Sequence, residues 1–208
     1  RHESIDKPRS LEEGEVKARS AGYVVAERAL AALEEATVQA GHLRMDISRV
    51  ELPFENLMMI IAFKIGLLPP TDSWITDDPD RCGHYGCAPI DVHHLALGDF
   101  HLVTLPGELF PESSVGRPES SEDFGSDENG DWGVQVFPAM TGYRAALPEG
   151  AVLFELGLSN HEIGYIVPAS DAVMNKHPGY YEEYFCVSFQ AEAMLRQAVT
   201  DLLTTAAD

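Results

Sequence analysis

The 208 residues carry 34 acidic against 14 basic side chains, a formal charge of −20, and 45% of them are hydrophobic. That length and apolar content suffice for a globular core of ordinary size. The charge argues against nucleic acid as a partner, because phosphate binding needs clustered Lys and Arg, and against an anionic membrane surface; it reads as a solvated, self-repelling surface.

In chain order, "RHESIDKPRSLEEGE" lacks the apolar run of a secretory signal. Ser10 with Glu13 three residues later forms a capping-box signature, and Tyr23, Ala26, Leu30 and Leu33 fall on one stripe, so a long helix is expected over about 11–39. After Gly41, "HLRMDISRVELP" alternates Leu43, Met45 and Ile47, then changes parity to Val50 and Leu52, the pattern of a strand with a bulge or bend near Ser48-Arg49. A short buried helix follows over roughly 55–66; its apolar run is too short to cross a bilayer and carries Lys64, so no transmembrane segment is expected.

Residues 69–91 are turn-rich. Cys82 and Cys87 lie close together in "RCGHYGC" while Cys186 stands apart, which leaves a small disulfide loop and a pair of buried thiols as alternatives. "HHLALGDFHLVTLP" holds two apolar alternations around Gly98-Asp99, a two-residue hairpin signal. The second alternation runs into "LPGELF", whose only charged group is Glu108. Residues 111–131 read as an acidic flexible loop, "AVLFELGLSN" as a buried strand, and "SFQAEAMLRQAVTDLL" as a terminal helix with Ala191, Leu195, Ala198 and Leu202 inward. The expected architecture is α/β or α+β, a single domain over 1–208, with a mixed sheet containing a β-hairpin and flanked by a long N-terminal and a C-terminal helix.

Several groups carry chemical potential. Glu108 is fixed at a strand end by a Pro-Gly turn, which suits either a helix-start acid or a pre-positioned carboxylate. His161, Glu162 and Tyr165 follow a strand end, where layered α/β proteins place active sites; a solvated turn and a core tyrosine are the alternatives. His84, His93, His94 and His101 cluster in sequence near Cys82 and Cys87, but without the spacing of a structural zinc finger, and His93 and His94 would face opposite sides of a strand. Asp127 and Asp131 in "DENGD" resemble part of a calcium loop without its closing glutamate. No serine-hydrolase elbow, phosphate loop or dinucleotide fingerprint occurs.

Taken together, "LGDFHLVTLPGELF", "GLSNHEIGYI" and "GYYEEYF", with the helix "GYVVAERALAALEEA" and the strand ending "SRVELPFEN", resemble the neutral ceramidase family, also called neutral/alkaline non-lysosomal ceramidases. The blocks match in order the later part of that family's catalytic domain. The resemblance implies a zinc-dependent hydrolase that cleaves the N-acyl amide of a sphingolipid such as ceramide. It implies zinc as cofactor, with Glu108 and Tyr165 at the metal and Tyr181, with Tyr180 as the alternative, polarising the substrate carbonyl. The family's zinc-binding histidines lie in an upstream half that would precede Arg1, so a second chain carrying that half is an implied partner, beside a small-molecule or lipid amide substrate. A secreted or periplasmic location is implied as well. The competing reading is a non-catalytic binding or interaction protein on the same fold, using the acidic stretch 111–131 as its contact surface.

Overall fold

The computed structural model describes residues 10–36, 41–67, 86–117, 121–127, 130–172 and 181–205. The chain divides into two compact units, Arg1–Ala40 and Gly41–Asp208.

The first unit is built on α1 (Leu11–Glu35). The Ser10 hydroxyl accepts a hydrogen bond from the Glu13 backbone N–H at 3.2 Å, satisfying one of the amides that a helix leaves unpaired at its start. Glu12 and Glu13 place negative charge against the same dipole end. None of the residues of α1 is buried, so Tyr23, Leu30 and Leu33 of the apolar stripe remain exposed.

The second unit is mixed α/β, and its frame is a four-stranded sheet in the order β1-β2-β3-β7. These are β1 (Leu43–Pro53), β2 (Cys87–Leu97), β3 (Phe100–Thr104) and β7 (Val152–Leu156). The first three are antiparallel neighbours and β3–β7 is parallel. Gly98-Asp99 turns β2 into β3, with Leu97 paired to Phe100 and Gly98 at φ 58°; the positive φ is what a tight hairpin asks of glycine. The short helix expected over 55–66 is α2 (Leu57–Lys64).

Three expectations need correction. Strand β1 has no bulge near Ser48-Arg49: its register with β2 runs unbroken from Leu43↔Leu97 to Pro53↔Cys87. The parity change arises because the two halves of the strand are apolar on opposite faces. Val50 and Leu52 point to the buried face with Ile90 and Val92, whereas Leu43, Met45 and Ile47 stay exposed on the other. Strand β2 begins at Cys87, inside the stretch expected to be turn-rich, of which 69–85 lie outside the described residues.

The stretch 111–131, expected as an acidic loop, contains α3 (Pro111–Val115) and the antiparallel pair β5 (Ser121–Asp127) and β6 (Gly130–Phe137). A hairpin ladder uses backbone groups that Ser, Asp and Glu supply as well as any residue. The alternation Trp132, Val134, Val136 is the strand signal that the acidic composition masked.

Helix α5 (Ala191–Thr205) covers the inner face of β1 and β2. Ala191, Leu195, Ala198 and Leu202 are buried as the periodicity requires, joined by Val199 and Leu203. Full burial of each Leu contributes about 2 kcal/mol. Both ends of the helix are tied by charge. Before its start, one Glu55 carboxylate oxygen accepts from Ser188 Oγ and the Phe189 N–H at 2.9 Å each. At its end, Arg44 Nη1 donates to the Thr205 carbonyl at 3.2 Å. A carboxylate at the amino end and a guanidinium at the carboxyl end both oppose the helix dipole.

The same face buries His94 on β2 and His101 on β3. Their Nε2 and Nδ1 atoms lie 3.0 Å apart, and the other nitrogen of His94 is 3.8 Å from the Asp46 carboxylate. Two facing nitrogens at that distance share one hydrogen, so the arrangement holds with both rings neutral. Burial lowers the proton affinity of both; His101 and Arg44 lower that of His94 further, against Asp46, while Asp99 opposes the shift at His101. A histidine whose folded pKa is depressed contributes stability that is complete above the unfolded value of about 6.5 and is lost as pH falls from there through the lower folded value. The thermal midpoint therefore drops between pH 7.5 and 5, and His101→Leu flattens that dependence; calorimetric scans across the range check it.

Candidate active site

Beyond β3 the chain runs through Leu105, Pro106 and Gly107, all buried, into the two-residue strand β4 (Glu108–Leu109). Beyond β7 it passes Gly157 to Ile163 and enters β8 (Tyr165–Ile166). The two short strands pair in parallel, with Glu108 directly opposite Tyr165. Backbone bonds sew these loops together: the Ser159 N–H donates to Leu105 O at 2.9 Å, Leu158 to Gly107 at 3.0 Å, Ile163 to Pro106 at 2.9 Å and Glu108 to Gly164 at 3.0 Å. On the far side of β8, Tyr165 N–H donates to Phe185 O at 3.0 Å.

Backbone lies directly on backbone here, which only glycine allows. A Cβ on Gly107 would sit 2.2 Å from the Gly164 carbonyl oxygen, and one on Gly164, at φ +76°, would sit 1.5 Å from the Phe185 oxygen. Gly164→Ala must therefore displace the 185–186 segment and strain its own backbone, at a cost of about 3 kcal/mol or more. Urea unfolding of that variant, with Gly150→Ala as the control because its Cβ meets open space at a similar φ, measures the difference.

The third segment at the junction carries Tyr181, which opens the one-turn helix α4 (Tyr181–Tyr184). The Tyr165 and Tyr181 hydroxyls are 2.9 Å apart. Four rings run edge to face, Phe110 to Tyr165 at 6.5 Å, Tyr165 to Tyr181 at 5.5 Å and Tyr181 to Phe185 at 6.5 Å between centroids. Phe110 and Phe185 were not singled out in the sequence, although each stands within or beside a stretch that was. The proton affinity of Tyr165 is raised, first by its hydrogen bond with Tyr181, then by burial and by the Glu108 carboxylate. Removing the partner hydroxyl in Tyr181→Phe lowers the Tyr165 pKa toward the ordinary phenol value of about 10; ultraviolet titration of variant against parent shows it.

The remaining candidates separate by environment. The Glu162 carboxylate accepts from the Gly164 N–H at 2.7 Å, closing the turn. Asn160, at φ 71°, donates from Nδ2 to Thr104 Oγ1 at 2.9 Å, and that oxygen also accepts from the His93 N–H at 3.0 Å. Left-handed backbone in a non-glycine residue is tolerated where the surroundings fix it, often beside a functional site. His161 is half-buried, and its charge, with that of His93, adds to the bidentate Arg49 ion pair that holds the Asp91 carboxyl below its ordinary range. His93 and His94 do face opposite sides, His94 being taken up by the buried pair. Cys87 is disulfide-bonded; Cys82, His84 and Tyr180 lie outside the described residues. Cys186 is a free, buried thiol whose pKa is pushed up to about 11 chiefly by burial, which makes it a poor nucleophile. At the β5–β6 turn, Asp131 pairs with Ser126 and Asp127 with Gly130.

The donor chemistry around Glu108 is a carboxylate, an oxygen donor that zinc accepts, with the Tyr165 phenol at the paired position. Among the described residues no group of three or more His, Cys, Asp or Glu side chains comes together in a way that could hold a metal ion. Nor, among them, is any helix long and apolar enough to cross a membrane.

No family model matches the chain, and no curated protein matches it. Among solved structures it is similar to neutral ceramidase from Pseudomonas aeruginosa, with a TM-score of 0.52 at 12% identity over 97% of this chain. The match covers 35% of that protein, so the chain spans about a third of its length. At that identity the likeness establishes a shared fold.

Proposed function

We propose that this chain supplies part of the active site of a zinc-dependent hydrolase acting on an N-acyl amide bond, with a ceramide-like lipid as the substrate class. The observation that carries the reading is the convergence of the Glu108 carboxylate with the Tyr165 and Tyr181 hydroxyls at a glycine-built junction. The fold shared with a neutral ceramidase supports it.

In this reading Glu108 and Tyr165 furnish two oxygen ligands, and histidines from a second polypeptide carrying the upstream half complete the set. Zinc, when bound, polarises the amide carbonyl and lowers the proton affinity of water. Tyr181, more than half exposed, donates a hydrogen bond to the carbonyl oxygen as negative charge develops there, and a single oxyanion donor of this kind is worth about a hundredfold in rate. Phe110 and Phe185 flank the hydroxyls with apolar surface that receives the hydrocarbon of an acyl group. A hydrolase of this kind acts outside the cytoplasm, secreted or periplasmic.

Isothermal titration with zinc, on the chain with any polypeptide that copurifies with it, tests the reading. Glu108→Ala loses bound zinc while the circular dichroism spectrum and thermal midpoint stay at parent values; unchanged zinc content in the variant overturns it. A second reading, a binding protein on the same fold, draws on the exposure of Tyr181 and Phe185 at the end of the ring ladder. It predicts that Glu108→Ala leaves ligand capture intact while Phe185→Ala abolishes it.

A further inference from the structure

Asn56 is 2% exposed and stands where β1 has ended and α2 begins. Its side-chain oxygen accepts from the Met58 N–H at 3.0 Å, the usual work of a residue that caps a helix start. Its amide nitrogen does something else. It donates to three carbonyls of one turn, those of Glu183 at 2.9 Å, Tyr184 at 3.1 Å and Cys186 at 2.8 Å, so two hydrogens are shared among three acceptors.

Glu183 and Tyr184 close α4, four residues long and beginning with Tyr181, and Cys186 lies two residues past its end. A helix of one turn cannot hold itself, and its last carbonyls lack amide donors from a following turn. Glu183 O receives Cys186 Sγ at 3.1 Å, and Asn56 supplies the remaining donors. The main chain adds to the clamp: the Glu55 and Asn56 N–H groups both donate to Val187 O, at 3.1 and 3.3 Å, while on the opposite side Val187 N–H donates to Ile163 O at 3.2 Å. The 181–187 segment is thus suspended between Asn56 and the β8 junction, with Tyr181 at its leading end.

We propose that Asn56 is a positioning residue for the tyrosine pair: by holding the carbonyls of α4 it sets the place from which the Tyr181 hydroxyl meets that of Tyr165. The placement of the pair stands on this geometry alone; its consequence for hydrolysis rests on the function proposed above.

The test is Asn56→Ser, which keeps a hydroxyl to cap α2 but is too short to reach the three carbonyls. Nuclear magnetic resonance of ring-labelled tyrosine reads the Tyr165–Tyr181 cross-ring contact and the mutual ring-current shifts. Both are lost in the variant while the methyl signals of Leu195, Val199 and Leu203 beneath α5 keep their positions. A cross-ring contact of parent intensity overturns the proposal. If the variant does not fold, the parent protein answers in a urea series below its unfolding midpoint. Exchange of the Asn56 side-chain amide and loss of the cross-ring contact then coincide, and a contact that outlives the protected amide overturns it.

Zinc titration on the same variant separates the two readings. Affinity about tenfold weaker, as for residues that orient a metal ligand, supports both. A lost ring contact with unchanged zinc affinity upholds Asn56 as the positioning residue and removes Tyr181 as the group that orients Tyr165 at the metal.

Discussion

The candidate site depends on a close approach of backbone to backbone. The Pro106-Gly107 turn, the Gly164 turn and the 185–186 segment are stacked so tightly that no Cβ fits at two of the three levels. Each layer is fastened to the next by main-chain hydrogen bonds, which fix direction as well as distance. Glu108 and Tyr165 are the residues that follow the two glycines. Their side chains are therefore aimed by a part of the chain that has little freedom to move, the condition under which a few polar groups can act with the precision that binding or catalysis needs.

How much of this was legible in the sequence follows the range of the forces involved. The Gly98-Asp99 hairpin and the inward face of α5 were readable because turn chemistry and helical periodicity are local. Strand β1 was misread as bent because alternation announces only a one-sided strand, and this one is apolar on both faces in different halves. The β5–β6 pair was hidden by acidic composition. The pairing of Glu108 with Tyr165 is parallel and remote in sequence, and no pattern near either residue encodes it. Resemblance brought both residues forward without saying how they meet. Asn56 escaped notice because a lone asparagine before a helix is adequately explained as a cap, and its second task involves carbonyls far along the chain.

Two kinds of polar group coexist in the second unit. Some fasten elements together: Glu192 receives Ser113 Oγ at 3.2 Å and pairs with Arg196, whose guanidinium lies 5.1 Å over the Tyr143 ring, joining α5 to α3 and to the 3₁₀ turn Tyr143–Ala146. Likewise Arg117 and Asp171, both mostly buried, pair at 2.6 Å. The others lie beyond the ends of β3 and β7, where Asn160 meets Thr104 and Tyr165 meets Tyr181. In the first group each charge faces its opposite, which is how a buried charge is tolerated. In the second, hydroxyls face one another beside a carboxylate, an arrangement with spare capacity to accept and donate.

The parallel joining of β3 to β7 sets the order in which these parts can come into being. Strands β2 and β3 meet once the hairpin turn forms and β1 closes on β2 across 54–86, but β7 must return across the whole stretch 105–151 before it finds β3. The entropy lost in closing such a loop grows only slowly with its length, yet it is spent before any contact repays it. Glu108 lies just inside that loop and Tyr165 just beyond its end. The hydroxyl pair and its carboxylate therefore exist only in molecules that have completed the longest-range step of the sheet, and any partial opening that frees β7 dismantles the site while leaving the hairpin standing.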